Sequence, residues 1–362
     1  MNILVFQSGY RYLDYTFYSV DQKQPVFSGR VSGRDTVLNP SILSANLKQL
    51  KEKIEADSSI DPPEAIAIRV PFGGETFRAP VKINDRHYAE LEKLYSQAPL
   101  HISALLLLIR SFRELLPSLP IICVFETSFF IDLPAREHRY GLNPDIAQAM
   151  SIRRYGFHGI YHQNAVLFAA RQCKKQGREK PSRVLSICLN AIPEVTAVLN
   201  SSPLTVTSGM TPLEGLPGHT TCGELDPSIM LQLHREKKWG PEHLNRVLTQ
   251  ESGLSGLYGA PTSLKIVFTS DDPGHQKIRE FISYRILLAC GAGVAALGGL
   301  DAVVFSGHFS DLGEILGPWL KERLHLHQQD FSWHCCPTPL YELVANEAVS
   351  VILQENMQQK VS

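Results

Sequence analysis

The sequence predicts an α/β protein built from two domains. Short apolar runs that end at Gly or Pro alternate with segments whose apolar residues recur at helical spacing, which favours layers of sheet and helix. The chain has 362 residues, and 44% of them are hydrophobic. A single hydrophobic core rarely organises more than about 300 residues. Two domains are therefore expected.

The first half of the chain begins with strands. Residues 3–8 and 13–19 are apolar or alternating on either side of Gly9, which predicts a β-hairpin. Four further elements follow from apolar runs and helical spacing. In chain order they are a helix at 41–55, a strand at 65–70, a helix at 101–116 and a strand at 120–125.

The second half repeats the alternation of strand and helix. Apolar runs at 185–189 and 195–199 predict the first strands of a second sheet. A long helix at 281–297, rich in small residues, precedes a buried strand at 302–305. Strand, helix and strand in this order again indicate an α/β layer architecture.

Composition argues against several classes of partner. The formal net charge is -1 and no run of Lys or Arg appears, which disfavours nucleic acid and anionic membranes. The longest apolar stretches, 102–109 and 286–299, are shorter than the roughly 20 residues that span a bilayer. The first residues resemble a buried strand rather than a signal peptide, so a cytoplasmic location is expected.

Several short strings resemble, in the same order, strings of the acetate kinase family. The most specific is I-R-R-Y-G-F-H-G at 152–159, which is near-identical to the family's string. The others are I-R-V-P-F-G-G at 68–74, A-P-L-H at 98–101, V-F-E-T-S-F at 124–129, T-P-L-E-G-L at 211–216, G-E-L-D-P at 223–227 and G-G-L-D-A-V-V-F at 298–305. The sequence thus resembles the acetate kinases over nearly its whole length, as a divergent member.

The resemblance implies a two-domain actin-like fold, in which a ribonuclease H-like unit is duplicated around a central cleft. The N-terminal domain would comprise residues 1–128 together with 348–362, so that the C-terminal helix returns to it. Residues 129–347 would form the C-terminal domain on the nucleotide side. The resemblance also implies a homodimer formed through the second domain.

The implied reaction moves a phosphoryl group between ATP and a small carboxylate, with Mg²⁺. Such a transfer needs positive charge and positioning around the phosphoryl oxygens, and a guanidinium binds carboxylate or phosphate bidentately. Each of three residues has a structural alternative. Arg69 can form a surface or interdomain ion pair, His158 can be a buried structural histidine, and His101 can cap or pack a helix. The implied residues are Arg69, Glu126 and His158 for catalysis, Leu100, His101, Phe157 and Pro212 for the carboxylate, Gln7, Gly307 and Ser310 for the nucleotide, and Glu347 with Glu126 for the metal.

The nucleotide side departs from the family's pattern. The family's N-A-G-S-S-S-L-K becomes Q-S-G-Y-R-Y-L-D at 7–14, and H-L-G-N-G becomes C-L-N-A-I at 188–192. Without glycine, backbone N–H groups approach a phosphate less closely. Thr221 stands where the family has a catalytic arginine, and Ser263 and Glu126 stand where it has aspartates. We therefore expect a degenerate nucleotide site.

Three functions are compatible with this pattern. The first is a divergent carboxylate kinase in which Arg11 or His219 replaces the lost positive charge. The second is a catalytically inactive kinase-like protein that binds a small acid or a protein partner. The third is hydrolysis or transfer of an acyl phosphate without ATP. In each, Pro71 and Phe72 replace the family's V-H, so the preferred acid can differ from acetate.

Overall fold

The computed structural model of the protein describes residues 1–8, 12–32, 39–58, 60–324 and 331–361. The chain forms two compact units. Unit 1 contains Met1–Ile131 and Pro339–Ser362, and unit 2 contains Asp132–Thr338. The domain bounds implied by the resemblance, 1–128 with 348–362 and 129–347, remain a prediction. Each unit has its own sheet.

Unit 1 is built on a six-stranded mixed sheet. Its strands are β1 (Asn2–Ser8), β2 (Tyr12–Ser19), β3 (Gln24–Ser32), β4 (Ala65–Val70), β5 (Val81–Lys82) and β6 (Ile121–Phe125). Their order across the sheet is β3-β2-β1-β4-β6-β5. The strands β1 to β3 form an antiparallel meander, whereas β4 runs parallel to both β1 and β6. The predicted hairpin and the two predicted apolar strands are confirmed.

Helices cover the sheet of unit 1. They are α1 (Pro40–Ala56), α2 (Asp85–Lys93), α3 (Pro99–Leu115) and the C-terminal α13 (Leu340–Val361). In α1, Leu43, Leu47 and Leu50 are buried at helical spacing, and this helix packs on α3. The last helix, α13, packs against β1, β4 and β6. The helices predicted at 41–55 and 101–116 are confirmed.

Unit 2 contains a five-stranded sheet with the order β11-β10-β7-β8-β9. The strands are β7 (Arg183–Cys188), β8 (Glu194–Leu199), β9 (Ser202–Val206), β10 (Ala302–Ser306) and β11 (Ser332–Cys335). Again three strands form an antiparallel meander, and two parallel strands extend it on one side. A meander followed by parallel strands therefore occurs in both units, which confirms the predicted duplicated α/β fold.

The helices of unit 2 surround this sheet. They are α4 (Ala135–His138), α5 (Pro144–Ala149), α6 (Gly159–Lys175), α7 (Pro227–Lys237), α8 (Pro241–Gln250), α9 (Gly253–Tyr258), α10 (Leu264–Thr269), α11 (Pro273–Leu297) and α12 (Gly313–Leu324). The core of unit 2 combines side chains of β7, β8 and β10 with those of α11. The strands predicted at 185–189, 195–199 and 302–305 are confirmed.

Among the described residues, α11 is long and apolar enough to cross a membrane by length and composition. Its residues Ile278, Ile282 and Ile286 belong to the hydrophobic core of unit 2, and the helix packs against β8 and α10. Core helices of globular units meet the same criterion. We therefore describe α11 as a core helix, and the absence of a membrane partner stays a prediction.

Candidate active site

The carboxyl ends of β4 and β6 lie side by side and carry the first candidate residues. In this parallel pair Arg69 lies opposite Val124 and Val70 opposite Phe125. Glu126 directly follows β6 and begins a short 3-10 helix. Because parallel strands end at the same edge of a sheet, the strings at 68–74 and 124–129 meet at this edge.

The turn after β4 is held close to β6. The Gly73 N–H donates to Thr127 Oγ1 at 2.9 Å. A Cβ on Gly73 would lie 2.7 Å from a ring carbon of Phe125, and Gly74 has φ +58°, so glycine is favoured at both positions. Phe125 in turn stacks on Phe77 with ring centroids 4.4 Å apart. The turn thus lies on a packed aromatic pair.

Arg69 and Glu126 form an ion pair at this edge. Arg69 Nε donates to Glu126 Oε1 at 2.8 Å. The Glu126 side chain is fully buried, whereas the Arg69 side chain is 18% exposed. The contact uses one of the five guanidinium N–H donors. The alternative for Arg69 was a surface or interdomain ion pair, whereas this pair is largely buried and lies within unit 1. It orients a partly exposed guanidinium.

His101 on α3 is influenced by the same arginine. Burial lowers the pKa of His101, and the positive charge of Arg69 lowers it further. A neutral imidazole offers one donor and one acceptor nitrogen, so His101 can bind a substrate oxygen at pH 7 without adding charge. Gln7 on β1 lies opposite Arg69 in the sheet register. The side chain of Leu100 lies outside the described residues.

In unit 2, His158 lies at the N-terminus of α6. It is the N-cap residue and has a left-handed backbone with φ +54°. Its side chain is 13% exposed, and its Nδ1 lies 3.9 Å from Glu194 Oε1. The neighbouring Phe157 is buried, and its N–H donates to Glu194 Oε2 at 3.1 Å. His158 is therefore a mostly buried histidine on a turn that a carboxylate holds.

Sequence analysis missed the residues that surround this turn. Glu194 Oε1 lies 2.9 Å from His162 Nε2, and His162 Nδ1 lies 2.7 Å from Ser186 Oγ. Two signals were present in the sequence. His162 follows His158 by four residues, which places both on one helix face, and Glu194 is a lone acid at the start of the apolar strand E-V-T-A-V-L.

The remaining predicted residues of unit 2 lie in loops. Gly307 directly follows β10 with φ +89°, and a Cβ on it would lie 2.8 Å from the Leu189 carbonyl oxygen. Ser310 is buried at the start of a short 3-10 helix. Pro212 is half-buried in the segment between β9 and α7. Gly307 therefore marks a close approach of the segments that follow β10 and β7.

The loop at 188–192, expected to lie near phosphate, has its neighbouring amides paired within unit 2. The Leu189 N–H donates to the Ser306 carbonyl at 2.8 Å, and the Phe309 N–H donates to the Leu189 carbonyl at 2.9 Å. The His308 N–H donates to Asn190 Oδ1 at 2.8 Å. These amides already have acceptors within unit 2, unlike the amides of a glycine-rich loop that point at phosphate.

Thr221 and Ser263, which the resemblance places where the family has charged residues, make structural contacts. Thr221 is buried, and its Oγ1 accepts the Gly218 N–H at 3.1 Å. Ser263 is the N-cap of α10, and its Oγ accepts the Ile266 N–H at 3.3 Å. Arg11, one of the two suggested replacement cations, lies outside the described residues.

His219, the other suggested cation, is neutral at pH 7. Its Nε2 accepts the Leu264 N–H at 3.0 Å, and burial, with the nearby His308, lowers its pKa to about 4. A neutral ring supplies no positive charge. His219 therefore cannot replace the arginine through its charge, and its contact with Leu264 is that of a structural acceptor.

The depressed pKa of His219 predicts a pH-dependent stability. The pKa is about 4 in the folded protein, against 6.5 for an unperturbed histidine. Between these values the unfolded state binds more protons, so the free energy of unfolding falls as the pH drops through this window. For a largely buried ring we expect a contribution of about 1–2 kcal/mol after solvent screening.

The variant His219→Gln tests this expectation, because glutamine keeps an acceptor for the Leu264 N–H. Urea unfolding at pH 7 and at pH 4.5 should show a smaller loss of stability in the variant than in the wild type. His101 and His334 also have lowered pKa values. Both residues are present in the two proteins, so their contributions to the pH dependence of stability cancel in the comparison. Equal losses in the two proteins would contradict the assignment.

The candidate metal ligands are carboxylates. Within the described ranges, no group of three or more His, Cys, Asp or Glu side chains could hold a metal ion. Mg²⁺ usually binds through one or two carboxylates together with water and phosphate, so this finding is compatible with magnesium. Burial raises the pKa of Glu347 on α13, and a divalent cation beside it would lower that pKa again. Glu347 therefore fits a magnesium ligand.

The chain matches a known protein family. Residues 28–314 match the model of the Acetokinase family. The chain is 29% identical over 330 residues to the acetate kinase of Agathobacter rectalis, which covers 84% of this chain and 83% of that relative. It is 35% identical over 248 residues to the acetate kinase of Clavibacter michiganensis. This match covers 68% of this chain and 62% of that relative.

Solved structures share the fold. A crystal structure of Porphyromonas gingivalis acetate kinase matches with a TM-score of 0.83 at 22% identity, covering 97% of this chain and 99% of that one. A propionate kinase of Francisella tularensis matches with a TM-score of 0.84 at 21% identity. This match covers 96% of this chain and 98% of that chain. The fold is therefore that of these actin-like kinases, and the chain belongs to the acetokinase family.

Proposed function

We propose that the protein is a carboxylate kinase, which transfers a phosphoryl group between ATP and a small carboxylate. The observation that carries the proposal is the Arg69–Glu126 pair at the shared edge of β4 and β6. A partly exposed guanidinium held by a buried carboxylate is a preorganised donor for carboxylate or phosphoryl oxygens. The family match and the fold support the same class of reaction.

Each candidate side chain has a distinct role in this proposal. Mg-ATP, when bound, supplies the phosphoryl group and neutralises part of its charge. Arg69 binds oxygens of the carboxylate or of the phosphoryl group, and Glu126 keeps the guanidinium in place. His101, neutral at pH 7, makes one hydrogen bond to the acid. His158 donates to an oxygen of the phosphoryl group. The contacts of Leu100, Phe157 and Pro212 with the acid, and of Gln7, Gly307 and Ser310 with the nucleotide, belong to the proposal as well.

The preferred acid is a short apolar monocarboxylate. The turn after β4 presents proline and phenylalanine, and Phe72 is buried beside the strand end that carries Arg69. An apolar turn next to a guanidinium suits a molecule with one charged end and a small hydrocarbon body. Acetate, propionate and butyrate span this class.

The direct test is acyl phosphate formation. The purified protein is incubated with Mg-ATP and each short acid, and acyl phosphate is trapped as the hydroxamate while ADP is measured. Equal amounts of hydroxamate and ADP are expected for at least one acid. Calorimetric titration with Mg-ATP provides the affinity for the nucleotide. If no acid yields acyl phosphate, the proposal fails, and Arg69-dependent hydrolysis of acetyl phosphate without nucleotide would support the third function instead.

Replacement of Glu347 by glutamine is expected to weaken magnesium binding. The amide keeps the size of the side chain but removes the negative charge, so we expect about a tenfold rise in the Mg²⁺ concentration that gives half-maximal activity. A magnesium titration of the kinase activity measures this. The control is Glu355→Gln, also on α13, whose carboxylate pairs with Lys82 at 2.9 Å on the surface. Equal magnesium requirements in the two variants would argue against Glu347 as a ligand.

The proposal includes a cytoplasmic homodimer. On α11, Tyr284 is 57% exposed and Leu288 is 47% exposed, and neighbouring exposed apolar side chains favour a protein contact. Analytical ultracentrifugation of the purified chain tests the dimer. The catalytically inactive alternative is not favoured, because family and fold both support a kinase.

A further inference from the structure

Unit 2 contains a buried polar cluster that the proposed reaction does not explain. Glu194, His162 and Ser186 have no solvent-exposed surface. The carboxylate contacts one nitrogen of the imidazole, and the other nitrogen contacts the hydroxyl. Burial of a carboxylate is unfavourable unless its charge is paired and hydrogen-bonded. Glu194 is paired in this way, but a buried ion pair often adds no net stability compared with apolar residues of similar volume, so stability alone is a weak reason for an acid here.

The order of contacts, from carboxylate to imidazole to hydroxyl, is also that of a hydrolytic triad. A serine nucleophile must reach its substrate, but Ser186 lies inside β7 and has no exposed surface. Neighbouring strands flank it, because β7 is hydrogen-bonded to β10 on one side and to β8 on the other. The cluster is therefore not a hydrolase site. Its effect on the protein is limited to holding the groups that it contacts.

The second oxygen of Glu194 contacts the turn that carries His158. Glu194 Oε2 accepts the Phe157 N–H at 3.1 Å, and Oε1 lies 3.9 Å from His158 Nδ1. His158 itself has a left-handed backbone with φ +54°, which is unfavourable for a residue with a side chain. Such a conformation persists where the surrounding structure imposes it. Here one carboxylate accepts the Phe157 N–H, and its other oxygen lies 3.9 Å from the His158 ring.

His162 holds the same carboxylate through Oε1. It lies one helical turn after His158 on α6, and its backbone N–H donates to the His158 backbone carbonyl at 3.1 Å. Its ring is 2.9 Å from Glu194 Oε1 and is itself fixed by Ser186 on β7. The cluster thus connects the start of β8, the interior of β7 and the N-terminus of α6. Little freedom remains for the Phe157–His158 turn.

We propose that Glu194 is a positioning residue for His158. Its buried carboxylate, held by His162, fixes the Phe157–His158 turn and so orients the imidazole that donates to the phosphoryl group. The inference rests on the proposed function, because it gives His158 a task in phosphoryl transfer. Glu194 does not itself touch a substrate, so its effect has to pass through His158.

A double-mutant cycle tests this dependence. Glu194→Gln keeps the shape of the side chain and is expected to lower kcat by about 10- to 100-fold, with the KM for the acid changed by less than about twofold. In a His158→Ala background the same substitution should cause no further loss. The control is Asp301→Asn, which alters the Arg183–Asp301 pair elsewhere in unit 2 and should leave kcat unchanged. An equal loss in both backgrounds, or no loss in either, would overturn the proposal.

A second measurement separates this inference from the proposed function. If the wild-type protein forms no acyl phosphate, the kinase proposal fails, but the ring signals of ¹⁵N-labelled histidines still report the geometry. The His158 signals, assigned by their loss in His158→Ala, should shift in Glu194→Gln and not in Asp301→Asn. Unchanged His158 signals would overturn the positioning role.

If Glu194→Gln does not fold, Glu194→Asp replaces it in both measurements. It keeps the charge and withdraws the carboxylate by roughly 1.5 Å, about one C–C bond. A smaller loss of kcat and a shift of the His158 ring signals are expected. A folded Glu194→Asp protein with wild-type kcat and wild-type ring signals would be evidence against the proposal.

Discussion

Replacing Arg69 with alanine is expected to lower kcat/KM for acyl phosphate formation by about 10³-fold or more, as the loss of a charge clamp does in other phosphoryl transfers. This factor corresponds to about 4 kcal/mol of transition-state stabilisation. The reason is geometric, because Glu126 holds the guanidinium through Nε at 2.8 Å while the side chain keeps some exposure. Steady-state kinetics with Mg-ATP and the best acid measure the effect.

Two further arginine variants make the result specific. Arg69→Lys keeps the charge but loses the planar fork, so an intermediate activity is expected. Arg183→Ala is the control. It removes the guanidinium that pairs with the Asp301 carboxylate in unit 2, with an N–O distance of 2.6 Å, and should leave kcat/KM unchanged. If a folded Arg69→Ala protein retained wild-type kcat/KM, Arg69 would be a structural ion-pair residue and the proposed clamp would be wrong.

Truncation of Phe125 to alanine is expected to destabilise the protein by about 3–5 kcal/mol. Phe125 is 1% exposed, stacks on Phe77 and lies beneath the Gly73 turn. Its loss opens a cavity under that turn, next to the strand end that carries Arg69. We therefore also expect the KM for the acid to rise. Urea unfolding gives the stability, and kinetics at low temperature give the KM of the folded fraction.

The matched control is Phe305→Ala in the core of unit 2, where Phe305 is fully buried. A loss of stability of the same order is expected, because the same number of side-chain atoms leaves a packed interior. This variant should not change the KM for the acid as Phe125→Ala does. If both variants changed the KM equally, the effect would come from general loosening and not from the turn.

Burial explains which elements could be predicted. The run A-I-A-I-R-V of β4 is almost wholly buried, so its apolar pattern identified the strand. By contrast, β3 is an edge strand whose residues are largely exposed, and only its pairing with β2 defines it. The helix α7 contains no buried residue, so no apolar periodicity marked it. The helix α6 was missed as well, although one face is buried, because that face includes small and polar residues such as Gly159, His162 and Ala165.

The candidate site divides in the same way. Arg69 lies near the end of the apolar strand β4, and Glu126 directly follows the apolar strand β6. Their meeting at one sheet edge therefore follows from the chain order of strand, helix and strand. The contact of Glu194 with His162 joins residues 32 positions apart on a strand and a helix, and no periodic pattern records it. The neutral state of His219 depends on burial and on His308, which only the folded chain brings together.

The discontinuity of unit 1 has a consequence for the order of folding during synthesis. The sheet strands β1, β4 and β6 are made early, but α13, which packs on them, follows all of unit 2 in the chain. Unit 2 is one continuous segment, Asp132–Thr338, and at ~5–20 residues per second it takes on the order of 10–40 s to synthesise. During that interval one apolar face of the nascent first sheet lacks its helix. The earlier-made unit therefore completes its core last, and its strands stay open to chaperones and to misfolding during that interval.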